Sequence, residues 1–217
     1  TADDALVNSS SRGPASDGRI KPDIAANGNG QLSTDPGNIY NPGGGTSAAA
    51  PGIAGVLAQM YHAYRDMNGG DDPNSGLMKA CLLNTAEDLG NDGPDFKYGY
   101  GRVNAIRALR TLEDGRYMSS TVDQGLTSII PLIIPTDIAE MKIMLYWMDP
   151  AGSTQATNAL VNDLDLKVVD PGATVLLPLV LDHTPDPNLL DLPAVPGIDH
   201  LNNMEQVEID NPLNGAY

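Results

Sequence analysis

The chain has 217 residues, and its 41% hydrophobic content is enough for one large or two small domains with a real core. Its net charge of −16 excludes nucleic acid as a partner, because phosphate binding needs basic patches. Proline or charge interrupts every long apolar stretch, so no membrane span is expected. The single cysteine, Cys81, excludes an internal disulfide, and its helical, apolar surroundings predict a buried side chain.

The first 46 residues are rich in turn-forming residues, with short strands expected at 5–8, 20–26 and 39–40. A glycine-rich loop at 43–45 then leads directly into an almost wholly apolar segment. This segment predicts a buried helix from Ser47 to Arg65. Further helices are expected at 76–85, with Asn74 or Ser75 as its cap, and at 104–112.

Ser47 is the candidate nucleophile. A serine where a glycine-rich loop enters a helix exposes its hydroxyl beside free backbone N–H groups, which stabilise negative charge developing on an attacked carbonyl. The spacing differs from the Gly-x-Ser-x-Gly elbow, because Ala49 occupies the second glycine position. The alternative is an ordinary helix start with Thr46 or Ser47 as the N-cap residue. The residues alone leave both interpretations open.

Residues 113–116 indicate a domain boundary. Beyond it, short apolar runs alternate with turn residues, and this pattern is typical of a β-sandwich. The expected strands lie at 117–123, 127–134, 141–148, 164–169, 174–181 and 204–210.

Five sequence motifs resemble those of subtilases, the subtilisin-like serine proteases. The segment 45–51 (GTSAAAP) resembles the motif around their active serine, 10–14 (SSRGP) and 17–24 (DGRIKPDI) resemble the stretch before it, and 98–104 (YGYGRVN) resembles the turn before their last catalytic-domain helix. The fifth motif consists of residues 146–150 (YWMDP) and 160–166 (LVNDLDL), and it is similar to the C-terminal jelly-roll sandwich of some secreted bacterial subtilases.

The resemblance implies an α/β fold over residues 1–113, part of a three-layer subtilisin-like catalytic domain. A β-sandwich of the jelly-roll type, truncated at its C-terminus, is expected over 117–217. It also implies a secreted serine endopeptidase that acts on proteins or peptides and needs no cofactor for its chemistry. Ser47 would attack the peptide bond, and Gly44, Gly45 and Thr46 would line the leaving-group side of the cleft.

The other catalytic residues of a subtilase have no counterpart in this sequence. Members carry an Asp and a His, then an oxyanion-hole Asn, before the serine, and no matching motif is present. His62 lies 15 residues beyond Ser47 on the same predicted helix, roughly 22 Å away at about 1.5 Å per residue. His183 and His200 fall in loops of the second predicted domain, so all three histidines are expected at the surface.

We therefore expect a fragment that is inactive by itself, with a companion N-terminal chain carrying the Asp, His and Asn. The alternative is a non-catalytic piece whose sandwich serves stability or partner binding. Substrate specificity is not readable from these residues.

A weaker pattern concerns calcium. Asp163 and Asp165 point to one face of a predicted strand, and with Asp149 they would supply hard oxygen ligands, as in relatives that carry this sandwich. The alternative is a solvated face with the intervening leucines directed inward, and this interpretation is preferred.

Overall fold

The computed structural model describes residues 4–217. A two-stranded hairpin comes first, three helices follow, and mainly short strands make up the rest. The helices span Thr46–Met67 (α1), Ser75–Asn84 (α2) and Ala105–Glu113 (α3). The strands are Gln31–Asp35 (β1), Ile39–Gly43 (β2), Ile133–Ile134 (β3), Glu140–Tyr146 (β4), Val168–Val169 (β5), Val175–Leu176 (β6), Leu179–Val180 (β7), Val195–Pro196 (β8), Met204–Asp210 (β9) and Gly215–Ala216 (β10). No helix in this described part is long and apolar enough to cross a membrane.

The three helices begin where the sequence predicts them, within one residue. Asn74 caps α2 by accepting a hydrogen bond from the Gly76 N–H at 2.7 Å, and Asn104 caps α3 through the Arg107 N–H at 3.0 Å. Each cap satisfies a backbone donor that has no partner inside its helix. The helices pack on one another around a helix core, which consists of Met60, Met78, Cys81, Leu82, Ala108 and Leu112.

Helix α1 is far less buried than its apolar sequence predicts. Met60 is its only fully buried residue, and most of the others are exposed or half-buried. Within residues 4–217, α1 packs against α2 and α3. The expected central burial is therefore wrong for this chain, because its described residues leave the remaining faces of α1 uncovered.

The strands pair only in twos across the described residues. The pairs are β1–β2, β3–β10, β4–β9, β5–β6 and β7–β8, all antiparallel. The longest ladder joins β4 to β9 over seven residues, from Glu140 opposite Asp210 to Tyr146 opposite Met204. Mixed helices and strands agree with a partial α/β domain, whereas the jelly-roll sandwich is not confirmed and stays a prediction.

A second core joins the helical half of the chain to the strands. This junction core consists of Ile20, Leu83, Ala86, Phe96, Tyr100 and Met204, with β4 residues packed against it. A buried hydrogen bond from the Ile20 N–H to Asn202 Oδ1, 2.9 Å long, adds a polar link between the same two halves. Strand β9, through Met204, therefore packs on residues from the first half of the chain.

Strand β9 also buries a carboxyl group. Glu205 is only 2% exposed; its Oε2 accepts a hydrogen bond from the Leu166 N–H, whereas no described group pairs with Oε1. Burial, followed by the nearby charges of Asp199, Asp165 and Asp163, raises the pKa of Glu205 to about 7. The folded structure therefore favours the protonated, uncharged form of Glu205.

Candidate active site

Ser47 is the second residue of α1, and its side chain is exposed. Gly45 is the N-cap residue, with φ of 85°, and no side chain among residues 4–217 caps this helix. The alternative in which Thr46 or Ser47 serves as N-cap is therefore wrong. Among residues 4–217 no hydrogen-bond partner of the Ser47 hydroxyl is present, so this hydroxyl is available at the helix start.

The start of α1 presents unused backbone donors. The N–H groups of Ala48 and Ala49 donate to the Gly45 carbonyl at 3.0 and 3.3 Å. Within the described part of the chain the N–H groups of Thr46 and Ser47 have no acceptor. Because a helix N-terminus carries partial positive charge, these two donors favour a negatively charged oxygen beside Ser47.

The loop before Ser47 is fixed by a neighbouring glycine. The Gly45 N–H donates to the Gly28 carbonyl at 2.6 Å, and a Cβ built on Gly28 would lie 2.8 Å from the Gly45 carbonyl oxygen. Only glycine allows this close approach of two backbones. A Cβ on Gly44 would lie 3.3 Å from the Gly28 oxygen, so two of the predicted cleft residues, Gly44 and Gly45, lie against Gly28.

Asn27 forms the turn directly before Gly28. Its side-chain oxygen accepts a hydrogen bond from the Asn29 N–H at 3.0 Å, and its carbonyl accepts one from the Gln31 side chain. The first bond forms an Asx turn, in which the asparagine side chain stabilises the turn by bonding to the backbone two residues on. Sequence reasoning missed the part that Gly28 plays in the serine loop, although the Asn-Gly pair at 27–28 signals a tight turn.

The β1–β2 hairpin leads directly into this loop. Its closing turn is Pro36-Gly37-Asn38, with φ of 92° at Gly37 and 60° at Asn38, and Asn41 Nδ2 donates to Asp35 Oδ2 at 2.6 Å. The sequence predicted only residues 39–40 as strand. The Pro-Gly-Asn turn between two runs containing β-branched residues is the signal that identifies the whole hairpin.

No described histidine contacts Ser47. His62 lies further along α1 and pairs with Asp66 at 3.3 Å, whereas His183 is an exposed loop residue packed near Gly18. His200 Nδ1 lies 2.6 Å from Asp163 Oδ2, and this hydrogen bond raises the pKa of the imidazole. All three histidines lie at the surface, as the sequence predicts. The geometry therefore offers a nucleophile and backbone donors without a general base among the described residues.

Two of the three aspartates proposed as calcium ligands, Asp149 and Asp163, have other partners. Both oxygens of Asp149 accept backbone hydrogen bonds, from Val161 at 2.6 Å and from Asn162 at 2.9 Å. Asp163 pairs with His200. Among residues 4–217 no group of three or more His, Cys, Asp or Glu side chains is arranged to hold a metal ion. These residues do not form a ready calcium cage, and the calcium site stays a prediction.

Comparison with known proteins finds a family similarity in the first part of the chain. The subtilase family model matches residues 1–101. The serine protease/ABC transporter B family protein tagA of Dictyostelium discoideum is 28% identical over 94% of this chain and 14% of its own length. Bacillopeptidase F of Bacillus subtilis is 35% identical over 51% of this chain and 8% of its own length.

A third relative, the calcium-dependent protease of Trichormus variabilis, is 24% identical over 71% of this chain and 24% of its own length. The chain thus spans less than a quarter of each of these three proteins. The motif residues around Ser47 lie inside the matched region, at the exposed start of α1. Over residues 1–101 the chain is similar to the subtilase family of serine proteases.

Proposed function

We propose that Ser47 is the nucleophile of a serine endopeptidase that cleaves proteins or peptides through an acyl-enzyme. The observation that carries this proposal is the Ser47 hydroxyl, exposed and unpaired beside the free N–H groups of Thr46 and Ser47. In the reaction the Ser47 oxygen bonds to the substrate carbonyl carbon, and its proton passes to a general base. The Ser47 N–H then donates to the resulting oxyanion, in the manner of known serine proteases.

The general base, its orienting carboxylate and the oxyanion-hole asparagine come from another polypeptide segment in this proposal. No described histidine contacts Ser47, and a serine hydroxyl is a weak nucleophile without a base within hydrogen-bond reach. The 217-residue chain by itself is then inactive. Gly44, Gly45 and Thr46 line the leaving-group side of the cleft, where their small size admits the substrate backbone.

The remaining assignments follow from the family resemblance. We assign the catalytic portion to residues 1–113 and a jelly-roll-type sandwich to residues 117–217, and we assign the protein to the extracellular space. A structural calcium ion near Asp149, Asp163 and Asp165 is supported only by relatives such as the calcium-dependent protease of Trichormus variabilis. The other candidate function is that of a non-catalytic piece, which the absence of a base beside Ser47 in residues 4–217 favours.

A fluorophosphonate probe with intact-mass detection tests the proposal. The chain alone, of 22.8 kDa, is expected to remain unlabelled. Addition of a polypeptide carrying the upstream part of a subtilase catalytic domain is expected to give one adduct, located on Ser47 by peptide mapping and lost in Ser47→Ala. Failure of every such complementing segment to produce the adduct would favour the non-catalytic function. An adduct on the isolated chain would show that a residue within it serves as the base.

A further inference from the structure

The surface around Ser47 differs in charge from the rest of the chain. The whole sequence carries 28 acidic and 12 basic residues, yet Asp35 is the only Asp, Glu, Lys or Arg between Asp23 and Arg65. This stretch holds the β1–β2 hairpin, the serine loop and most of α1. A ligand that approaches Ser47 along the hairpin therefore meets a segment with a single charged residue, although the protein is strongly acidic.

The hairpin exposes apolar side chains on one face. Leu32 lies opposite Pro42, and Thr34 lies opposite Tyr40, so these four side chains share a face because strand side chains alternate. Leu32 is 70% exposed and Tyr40 is 66% exposed. The opposite face includes Gln31, whose amide lies 3.7 Å from a Cβ built on Gly52 of α1. The face of Leu32 and Tyr40 is thus directed away from α1.

The outer edge of β2 is available for strand pairing. Within the described chain, β2 pairs with β1 alone. Pro42 has no N–H, so a regular ladder with β1 requires its nitrogen to face the outer edge. Residues two apart on a strand direct their backbone groups to the same edge, so the N–H and C=O of Tyr40 face outward as well.

We propose that the outer edge of β2, with Tyr40 as the specificity-determining residue, binds the part of a peptide substrate that follows the cleaved bond. This inference rests on the proposed function, in which Gly44, Gly45 and Thr46 line the leaving-group side. The edge continues from that loop, and an extended peptide would add to it as a third strand. At about 3.3 Å per residue, Tyr40 would meet substrate residues roughly four to six positions beyond the cleaved bond.

The charge pattern selects the kind of peptide. Tyr40 and Pro42 offer apolar contact on one face, and the one acidic side chain of the hairpin, Asp35, accepts a hydrogen bond from Asn41. We therefore assign an uncharged segment in which β-branched or aromatic residues alternate with small polar ones. Cross-strand contact with an aromatic residue stabilises such a pairing.

Amide chemical shifts of the ¹⁵N-labelled full chain test this inference without any catalysis, in a Ser47→Ala background. The probe is an octapeptide with a free amino terminus, two glycines and then alternating valine and threonine. Shift changes are expected in residues 31–45. Two matched peptides, one with serine replacing valine and one with alternate backbone nitrogens methylated, are expected to bind at least threefold more weakly.

A variant pair identifies the residue responsible. Tyr40→Ser is expected to weaken binding about threefold to fivefold. Met118→Ser, at a side chain that is 65% exposed and far along the chain from the hairpin, is expected to have no effect. Unchanged β1–β2 cross-strand contacts in the nuclear Overhauser spectrum would show that the Tyr40→Ser hairpin is still folded.

Three results would overturn the proposal: no shift changes at millimolar peptide, changes confined to residues outside 31–45, or hairpin changes that follow protein concentration and not peptide. The last result would assign the edge to a second copy of the chain. The binding assay requires no nucleophile. If the peptide does not bind but the complemented wild-type chain is labelled by the fluorophosphonate probe, only this inference is rejected. Binding without labelling under any condition would instead reject the proposed function.

Discussion

The carbonyl oxygen of Gly28 accepts a hydrogen bond from the N–H of Gly45 at 2.6 Å, and this bond fixes the backbone two residues before Ser47. The two residues are 17 positions apart, in different turns. The geometry of the candidate nucleophile therefore depends on a glycine that lies outside the serine motif.

Gly28→Ala tests this dependence. The added Cβ would lie 2.8 Å from the Gly45 oxygen, so one of the two backbones must move. We expect a loss of about 1–3 kcal/mol in the free energy of unfolding and faster hydrogen exchange at the Gly45 amide. Gly55→Ala is the matched control, because no neighbouring atom in the described part of the chain lies within 4 Å of a Cβ built at this position on α1; it should increase stability by up to about 1 kcal/mol. Equal effects of the two substitutions would contradict the prediction.

Glu205 makes stability depend on pH. Its folded pKa of about 7 lies above the ordinary value of 4.5, so the folded state binds more protons between these values. The contribution of Glu205 to the free energy of unfolding is therefore largest below pH 4.5. It falls by on the order of 3 kcal/mol as the pH rises to 7. Urea unfolding of the wild type and of Glu205→Gln across this range measures the difference.

Glutamine keeps an acceptor for the Leu166 N–H and carries no charge. The variant should therefore be more stable than the wild type at pH 8 and should lose this part of the pH dependence. Parallel stability curves for the two proteins would show that Glu205 ionises in the folded state without cost.

Asp149 closes the loop between β4 and residue 162. Besides its backbone bonds, Oδ1 accepts from Asn162 Nδ2 at 2.8 Å, and the Asn162 carbonyl accepts from the Trp147 indole at 2.9 Å. Asp149→Ala should release this loop at a cost of about 1–3 kcal/mol and shift the emission of the chain's single tryptophan to longer wavelength. A chelator should leave the emission and the melting temperature of the wild type unchanged. A fall in melting temperature that calcium reverses would instead establish the calcium site.

Cys81 should be chemically inert in the folded protein. Its side chain is 3% exposed in the helix core, and burial raises the pKa of its thiol to about 11. Because the thiolate is the reactive form, alkylation by iodoacetamide at pH 8 should be detected by mass only in denaturant. Complete modification within minutes under native conditions would contradict this burial.

Local signals predicted the helices and the exposed histidines well. Asn74 and Asn104 are strong caps, and the expected bounds of α2 and α3 differ from the observed ones by one residue at each end. Strand β9 was predicted with its observed bounds, 204–210. These features depend on periodicity and capping within a few neighbouring residues.

The features that depend on distant contacts were not predictable. An apolar helix sequence indicates which side chains favour burial, but not whether a partner is present to cover α1. The approach of Gly28 to Gly45 and the burial of Glu205 arise only when separate segments pack together. For the candidate site, the motif at 45–51 pointed to Ser47 as the candidate nucleophile. The free N–H groups and the available edge of β2 became evident only from the three-dimensional structure.

The junction core determines how the two halves of the chain behave after cleavage or truncation. Met204 packs with Phe96 and Tyr100 from the other half of the chain, and Asn202 holds the Ile20 amide. A protease nick in the exposed connection at 118–130 would therefore leave two pieces that stay associated and elute together in buffer. Removing everything after residue 116 would strip that core of Met204 and uncover the aromatic pair. The first half expressed alone would then aggregate and be poorly soluble, although it carries the whole serine motif.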